Sequence, residues 1–284
     1  MKISSKQLWV GTLVLVALQC SGLVSAMAWA SWAAVAEGGV SEPPSGMQYI
    51  SGGVYAPLFK EAGVEQPTPV VPFYLDIYPV TNAQYVAFIQ ANTRWRRSQV
   101  SPLVADAAYL RHWQADIPPP EVAAAVVQRP VTYVSWFAAR AYCRWQQKRL
   151  PSTVEWEFVA RASATAPDGS KDPAYQARLL EWYALPAAAM PPLIGSGQKN
   201  SWGISDLHGS VWEWVADFQT AFSPGAARDG TEAEDGRLCG SGALGVAEPE
   251  RVNYPAFMRD AYRRSLHGTS TVHNLGFRCA KDLP

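Results

Sequence analysis

The stretch VSWFAARAYCRWQQKRLPSTVEWEFVARA, Val134–Ala162, carries the densest local signals in the chain. Ser135 stands where a helix needs an N-cap hydroxyl, and Trp136, Ala139 and Cys143 follow at helical spacing, which predicts a helix with those three residues on its inward face. Pro151 cannot continue that helix, since its ring clashes with the preceding turn and it has no N–H to donate. Ser152-x-x-Glu155 then spells a reciprocal cap, the start of a second helix. Immediately upstream, PVTYVS (130–135) reads as a short strand. A cysteine on an inward helix face suits a structural bridge better than a reactive thiol.

Working outward, VVPFYLDIYPVTNAQYVAFIQAN (70–92) reads as a strand running into a helix, with Thr81 or Asn82 as its cap and Tyr85, Phe88 and Ile89 on its buried face. Residues 93–130 read as irregular and proline-rich. A long connection at 163–200 holds one short helix around 174–182, and a second polar loop spans 223–237. Residues 47–284 show no internal repeat and no composition break, so they read as one domain, with 31–46 (SWAAVAEGGVSEPPSG) as a flexible tether.

The chain has 284 residues with 12 Trp and 12 Tyr beside 22 Pro and 21 Gly. That mix suits a loop-rich fold whose core is filled by aromatic rings. Residues 1–30 hold Lys2 and Lys6 and no acid, leaving 22 basic against 24 acidic residues in the remainder. Without a basic stripe there is no counterion-release drive toward nucleic acid, and no nucleic-acid partner is expected. The first 30 residues follow the layout of a secretory signal: two lysines, an apolar run from Leu8, and Ala28-Trp29-Ala30 as the cleavage site. A periplasmic or secreted protein with no membrane span in its mature form is expected; retention of the segment as an N-terminal anchor is the alternative. Cys20 suggests lipidation, but Gln19 before it is bulky for that purpose. Export leaves Cys143, Cys239 and Cys279, which an oxidising compartment would reduce to one bridge and one thiol, with three pairings open.

Several motifs fail their structural conditions. GSGALG (240–245) matches the letters of a dinucleotide loop, but prolines follow where the helix should begin. HExxH, CxxC and G-x-S-x-G do not occur. His112, His208, His267 and His273 are scattered, as packing histidines usually are. Glu213, between Trp212 and Trp214 and beside a glycine turn, could seat Ca²⁺ with neighbouring carbonyls or could be a buried carboxylate held by loop amides. Spacing alone does not choose between these.

Four segments together resemble the formylglycine-generating enzyme (sulfatase-modifying factor) family: PFYLDIYPVTNAQYVAFI (72–89), the stretch at 134–162, WGISDLHGSVWEWVADF (202–218) and NLGFRCAKD (274–282). The resemblance implies an irregular, loop-rich α+β single domain over 47–284, related to the C-type-lectin-like fold. It implies a Cys143–Cys279 disulfide. It also implies a Ca²⁺ site built from Glu213 and the carbonyls of His208, Gly209 and Val211, and pocket positions at Trp214 and Asn274. The family's other calcium loop has no counterpart in 163–200.

Family chemistry ranges from copper-dependent oxidation of a sulfatase cysteine, through non-haem iron sulfoxide synthesis and siderophore maturation, to ligand binding alone. Anchoring the resemblance on Tyr262-Arg263 puts the two copper-binding cysteines at Ala256 and Ala261, and alanine offers no thiolate to soft Cu(I). A Cu or Fe centre would therefore need other ligands. The leading expectation is an exported, calcium-stabilised, oxidoreductase-type maturation factor acting on a periplasmic protein or small molecule. Cys239, His267, His273 and Arg263 would be its chemistry-bearing candidates, with Asn253 and Asp260 beside the pocket. The rival from a different class is a binding module on the same fold, and a third is a formylglycine generator with a relocated metal.

Overall fold

The computed structural model describes residues 42–56, 67–218 and 254–284. The expected signal, most of the expected tether, the GSGALG stretch, Cys239 and Asn253 lie outside the described residues. From Pro44 onward the chain is one compact unit.

Its framework is a three-stranded antiparallel sheet in which β4 (Phe73–Asp76) lies between β1 (Met47–Ile50) and β7 (Ala280–Asp282). Ile50 pairs with Phe73 on one side, and Leu75 pairs with Ala280 on the other. All four residues of β4 are buried, so its run of apolar side chains reads as a central strand covered on both faces. A hairpin, β2 (Gly53–Tyr55) with β3 (Thr68–Val70), lies beside it in sequence. The third sheet is a two-residue parallel pair, β5 (Trp212–Glu213) with β6 (Leu275–Gly276).

Helices come from local signals that the side chains satisfy. Helix α1 (Asn82–Ala91) opens with a full capping box, Thr81 with Gln84, and buries Tyr85, Phe88 and Ile89. Asn82 sits in the first turn, where its amide donates to the carbonyls of Val126, Arg129 and Pro130 and its Oδ1 accepts from the Trp113 indole at 2.7 Å. The 93–130 segment is less irregular than its prolines suggest. It contains two single 3₁₀ turns (Thr93–Trp95 and Arg111–Trp113) and α2 (Pro120–Val126), which Pro120 favours by pre-setting the first helical dihedral.

Helix α3 (Trp136–Trp145) is capped by Ser135 as the sequence suggests, but its inward face is Ala138, Ala139, Tyr142 and Cys143, with Trp136 only half-buried. It stops at Trp145, well before Pro151, because Gln147 turns left-handed at φ 56° and Lys148 N–H donates back to the Cys143 carbonyl. PVTYVS is not a strand. Pro130 makes a lone bridge to Thr81, Tyr133 has φ 56°, and its neighbours bond to three separate segments: Val131 N–H to Val80, Tyr133 N–H to Val272, and Leu110 N–H to Tyr133. Helix α4 (Thr153–Ala160) carries the reciprocal Ser152–Glu155 cap. Helix α5 (Pro173–Ala184) is capped by Asp172, and α6 (Tyr254–Arg264) precedes the closing strands.

Cys143 of α3 is bonded to Cys279 just before β7, with Cα atoms 5.6 Å apart. Next to it, Asp76 accepts from the Cys279 N–H and from Lys148 Nζ, so the bridge lies inside a polar clasp.

Arg278 has no exposed surface. Its Nε and Nη2 meet both oxygens of Glu213 at 2.8–3.0 Å, its Nη1 donates to the carbonyls of Asp76 and Ile77, and Nη2 also reaches Ser205. Removing one partner of a fully buried pair strands the other charge, at a cost of roughly 3–5 kcal/mol. Arg278→Met is therefore expected to lower the unfolding free energy by about that amount in urea titration. Arg278→Met with Glu213→Leu should recover a substantial part of it.

Candidate functional site

A cleft of about 310 Å³ opens between the end of α5, the 209–212 segment, Met258 of α6 and Asn274. Its wall is aromatic. Trp182 and Tyr183 both pack on Trp212, with ring centroids 5.9 and 5.5 Å away, and Trp212 lies over Tyr262 of α6 at 4.3 Å. Two buried polar atoms among the lining residues, Ser210 Oγ and Asn274 Oδ1, have no hydrogen-bond partner. In a native site such atoms are normally matched by water or ligand.

Under this wall lies a buried ionic cluster. Arg259 and Arg263 stand one turn apart on α6 and so share a face. Both reach Glu157 of α4, Arg259 through two bonds of 2.8 and 2.6 Å and Arg263 through one of 2.7 Å. All three side chains are at most 6% exposed. Burial alone would raise the Glu157 pKa, but the two guanidiniums outweigh it and bring it down to about 2. Arg259 also donates to the Tyr183 hydroxyl at 3.0 Å, which ties the cluster to the cleft wall. Trp156 joins this cluster to the Arg278–Glu213 pair: its ring face receives Arg263 and Arg259 at 5.0 and 5.7 Å, and its indole N–H donates to Glu213 at 2.7 Å.

The structure assigns the expected site residues to different places. Asn274 lines the cleft. Trp214 does not: it is 1% exposed, packs on Phe218, and its indole donates to the Val134 carbonyl. The cleft ring is Trp212, because the strand ends at Glu213 and the chain then turns Trp214 inward. Arg263 is committed to Glu157, and Asp260 is buried and paired with Arg264 on the next turn. His267 lies in an exposed turn and His273 is half-buried. Among the described residues no three His, Cys, Asp or Glu side chains gather as ligands for an ion.

Neither Glu213 nor the two alanines fits the metal that the resemblance assigns to its position. Glu213 cannot serve as an open calcium ligand here, since Arg278 and Trp156 occupy both its oxygens and a guanidinium already balances its charge. The copper positions fail twice over. Ala256 and Ala261 carry no thiolate, and five residues apart on α6 they point roughly 140° away from one another. Thiolates placed there would not converge.

His208, expected to give a carbonyl, uses its ring structurally. Its Nε2 donates to the Ala160 carbonyl at 2.8 Å, which leaves Nδ1 as the bare nitrogen, and Nδ1 is buried without a partner. Trp182, Tyr183, Trp212, Tyr262, Glu157 and Arg259 were missed. The Arg259/Arg263 one-turn spacing and the buried Glu157 in the EWEF run are the signals that could have suggested the ionic cluster.

Comparison with known proteins gives the class. The sequence profile of the sulfatase-modifying factor enzyme 1-like domain, the FGE-sulfatase family, matches residues 30–283, and the chain belongs to this family. It is 29% identical over 258 residues to the mouse protein named inactive C-alpha-formylglycine-generating enzyme 2, covering 77% of this chain and 78% of the relative. It is 31% identical over 311 residues to the formylglycine-generating enzyme of Streptomyces coelicolor, covering 90% of this chain and 96% of that enzyme. Among solved structures, PvdO from Pseudomonas aeruginosa aligns with a TM-score of 0.49 at 19% identity, over 84% of this chain and 94% of that one. The relatives thus include proteins named as enzymes and proteins named as inactive, so membership does not fix the reaction.

Burial pushes His112 and His208 down to about 4 from the ordinary 6.5. A histidine held neutral in the fold contributes stability that is complete above about pH 6.5 and is lost as pH falls toward 4, because the unfolded chain binds the proton first. Urea midpoints are expected to drop across that window, and His112→Gln should flatten the drop if the variant folds.

Proposed function

We propose that this protein is a binding member of its family. The aromatic cleft holds a ligand or a segment of a partner, and the two-thiolate copper oxidation of cysteine is lost. The observation that carries this reading is the pair Ala256 and Ala261 on the helix α6, which supplies neither the sulfur donors nor the geometry for two of them to meet. The residues expected to carry oxidoreductase chemistry do not assemble among the described ones: Arg263 is spent on Glu157, and His267 and His273 join no ligand group.

The cleft favours a flat apolar group stacked against Trp212 and Trp182, with a neighbouring N–H or O–H donating to Asn274 Oδ1. An aromatic residue in a peptide or an aromatic amide meets both requirements. Export to an oxidising compartment agrees with the Cys143–Cys279 bridge and with the layout of residues 1–30. No helix among the described residues is long and apolar enough to cross a membrane.

Two measurements test the reading. Incubated with Cu(I), O₂ and a cysteine-containing sulfatase-type peptide, the protein is expected to form no aldehyde by mass spectrometry, and Ala256→Cys with Ala261→Cys should not restore it. Turnover that disappears in Cys239→Ala would favour the oxidoreductase reading instead. In ligand-observed NMR, N-acetyl-phenylalaninamide should bind and Trp212→Ala should weaken it about fivefold, in line with the roughly 1 kcal/mol of a lost aromatic pair. Localisation is checked separately: the N-terminus of the exported protein, read by Edman degradation, should begin at Ser31.

A further inference from the structure

The outer face of helix α3 and the 3₁₀ turn at Thr93–Trp95 enclose a second, open groove of about 600 Å³ that shares no lining residue with the aromatic cleft. On α3 it is lined by Phe137, Arg140, Arg144 and Trp145, which the helical repeat brings to one side. Arg94 and Trp95 supply the opposite wall. Three arginines line the groove and no aspartate or glutamate does. Among the described residues none of the three makes an ion pair. Arg94 lies over the Trp95 ring at 5.6 Å and Arg140 over Trp136 at 5.1 Å.

That arrangement is unusual for a resting surface. Exposed arginines normally mix with carboxylates, whereas here three like charges share one concavity with no counter-charge. The walls also hold an indole that lacks an acceptor: Trp95 is 7% exposed, and its Nε1 is buried without a partner. Trp145, on the other side, leaves 39% of its surface exposed. The groove therefore offers guanidinium donors with apolar rings between them, and it asks for a ligand rich in acceptors and negative charge.

We propose that this groove binds an extended acidic peptide segment of a partner protein. Spacing favours a peptide over other anions. Arg140 and Arg144 are four residues apart on a helix, a rise of about 6 Å. Side chains two residues apart on one face of an extended strand are separated by about 6.6 Å. A Glu-x-Glu sequence running along α3 thus presents one carboxylate to each guanidinium in the planar, two-bond geometry that arginine favours. A third carboxylate meets Arg94. An apolar residue of the segment covers Phe137 and Trp145. This inference does not depend on whether the aromatic cleft binds or catalyses.

The test uses the full mature chain and fluorescence anisotropy with a labelled Glu-Val-Glu-Phe-Glu-Val-Glu peptide, its Gln-for-Glu counterpart and a sulfated heparin oligosaccharide. Binding of the acidic peptide is expected to weaken at least tenfold in the Gln peptide, in Arg140→Gln/Arg144→Gln, and between 50 and 200 mM salt, on the order expected for a few charge contacts. Trp212→Ala should leave it unchanged, which separates this groove from the cleft. The double arginine variant is a surface change and Trp212 is half-buried, so matching thermal midpoints will show that both variants fold. Equal binding of the Gln peptide, or an unaffected double arginine variant, overturns the proposal. So does tight heparin binding without peptide binding, which would assign the groove to acidic glycans.

Discussion

One guanidinium sets the arrangement on which the rest is built. Arg278 directs its N–H groups at the Glu213 carboxylate and at the carbonyls of Asp76, Ile77 and Ser205, with no water in reach. In a fold with so little regular structure, backbone carbonyls of loops need donors that no sheet supplies. Arg278 is such a donor, and it fixes three loops relative to one another. Glu213 passes the constraint on through the Trp156 indole, whose ring bears the two cations held by Glu157. A buried pair of this kind adds little net stability against an apolar replacement, yet it tolerates few alternative packings, which suits a role in specifying one loop arrangement.

Where the family's enzymes would need a pair of thiolates, this chain has a helix turned inward by its charges. Ala256, Arg259 and Arg263 share the buried face of α6, and the small alanine there fits a face whose space is taken by guanidiniums and Trp156. The same helix gives Met258 to the cleft and Tyr262 to the aromatic wall. Packing and concave surface thus meet on one helix.

The helix caps were legible because each is a bargain among residues three apart. Thr81 with Gln84, and Ser152 with Glu155, can be read without knowing anything else about the chain. The Glu157–Arg259 and Glu213–Arg278 pairs join residues 102 and 65 apart, and no local period announces them. PVTYVS misled because its β-branched residues do favour extended backbone, but its hydrogen bonds are shared among separate loops and no ladder forms. Trp214, a pocket position by the resemblance alone, packs on Phe218. The resemblance did carry the disulfide pairing, which spacing had left open. Cys239 falls outside the described residues.

The placing of β7 has a kinetic meaning. Asp76 near the start of the domain bonds to Cys279 near its end, 203 residues later, and β4 gains its second neighbour only from the last strand. A nascent chain therefore cannot complete its central sheet until β7 has been made. Contacts of such long range are also slow to form. The Cys143–Cys279 bridge likewise joins a helix of the first half to the segment just before β7.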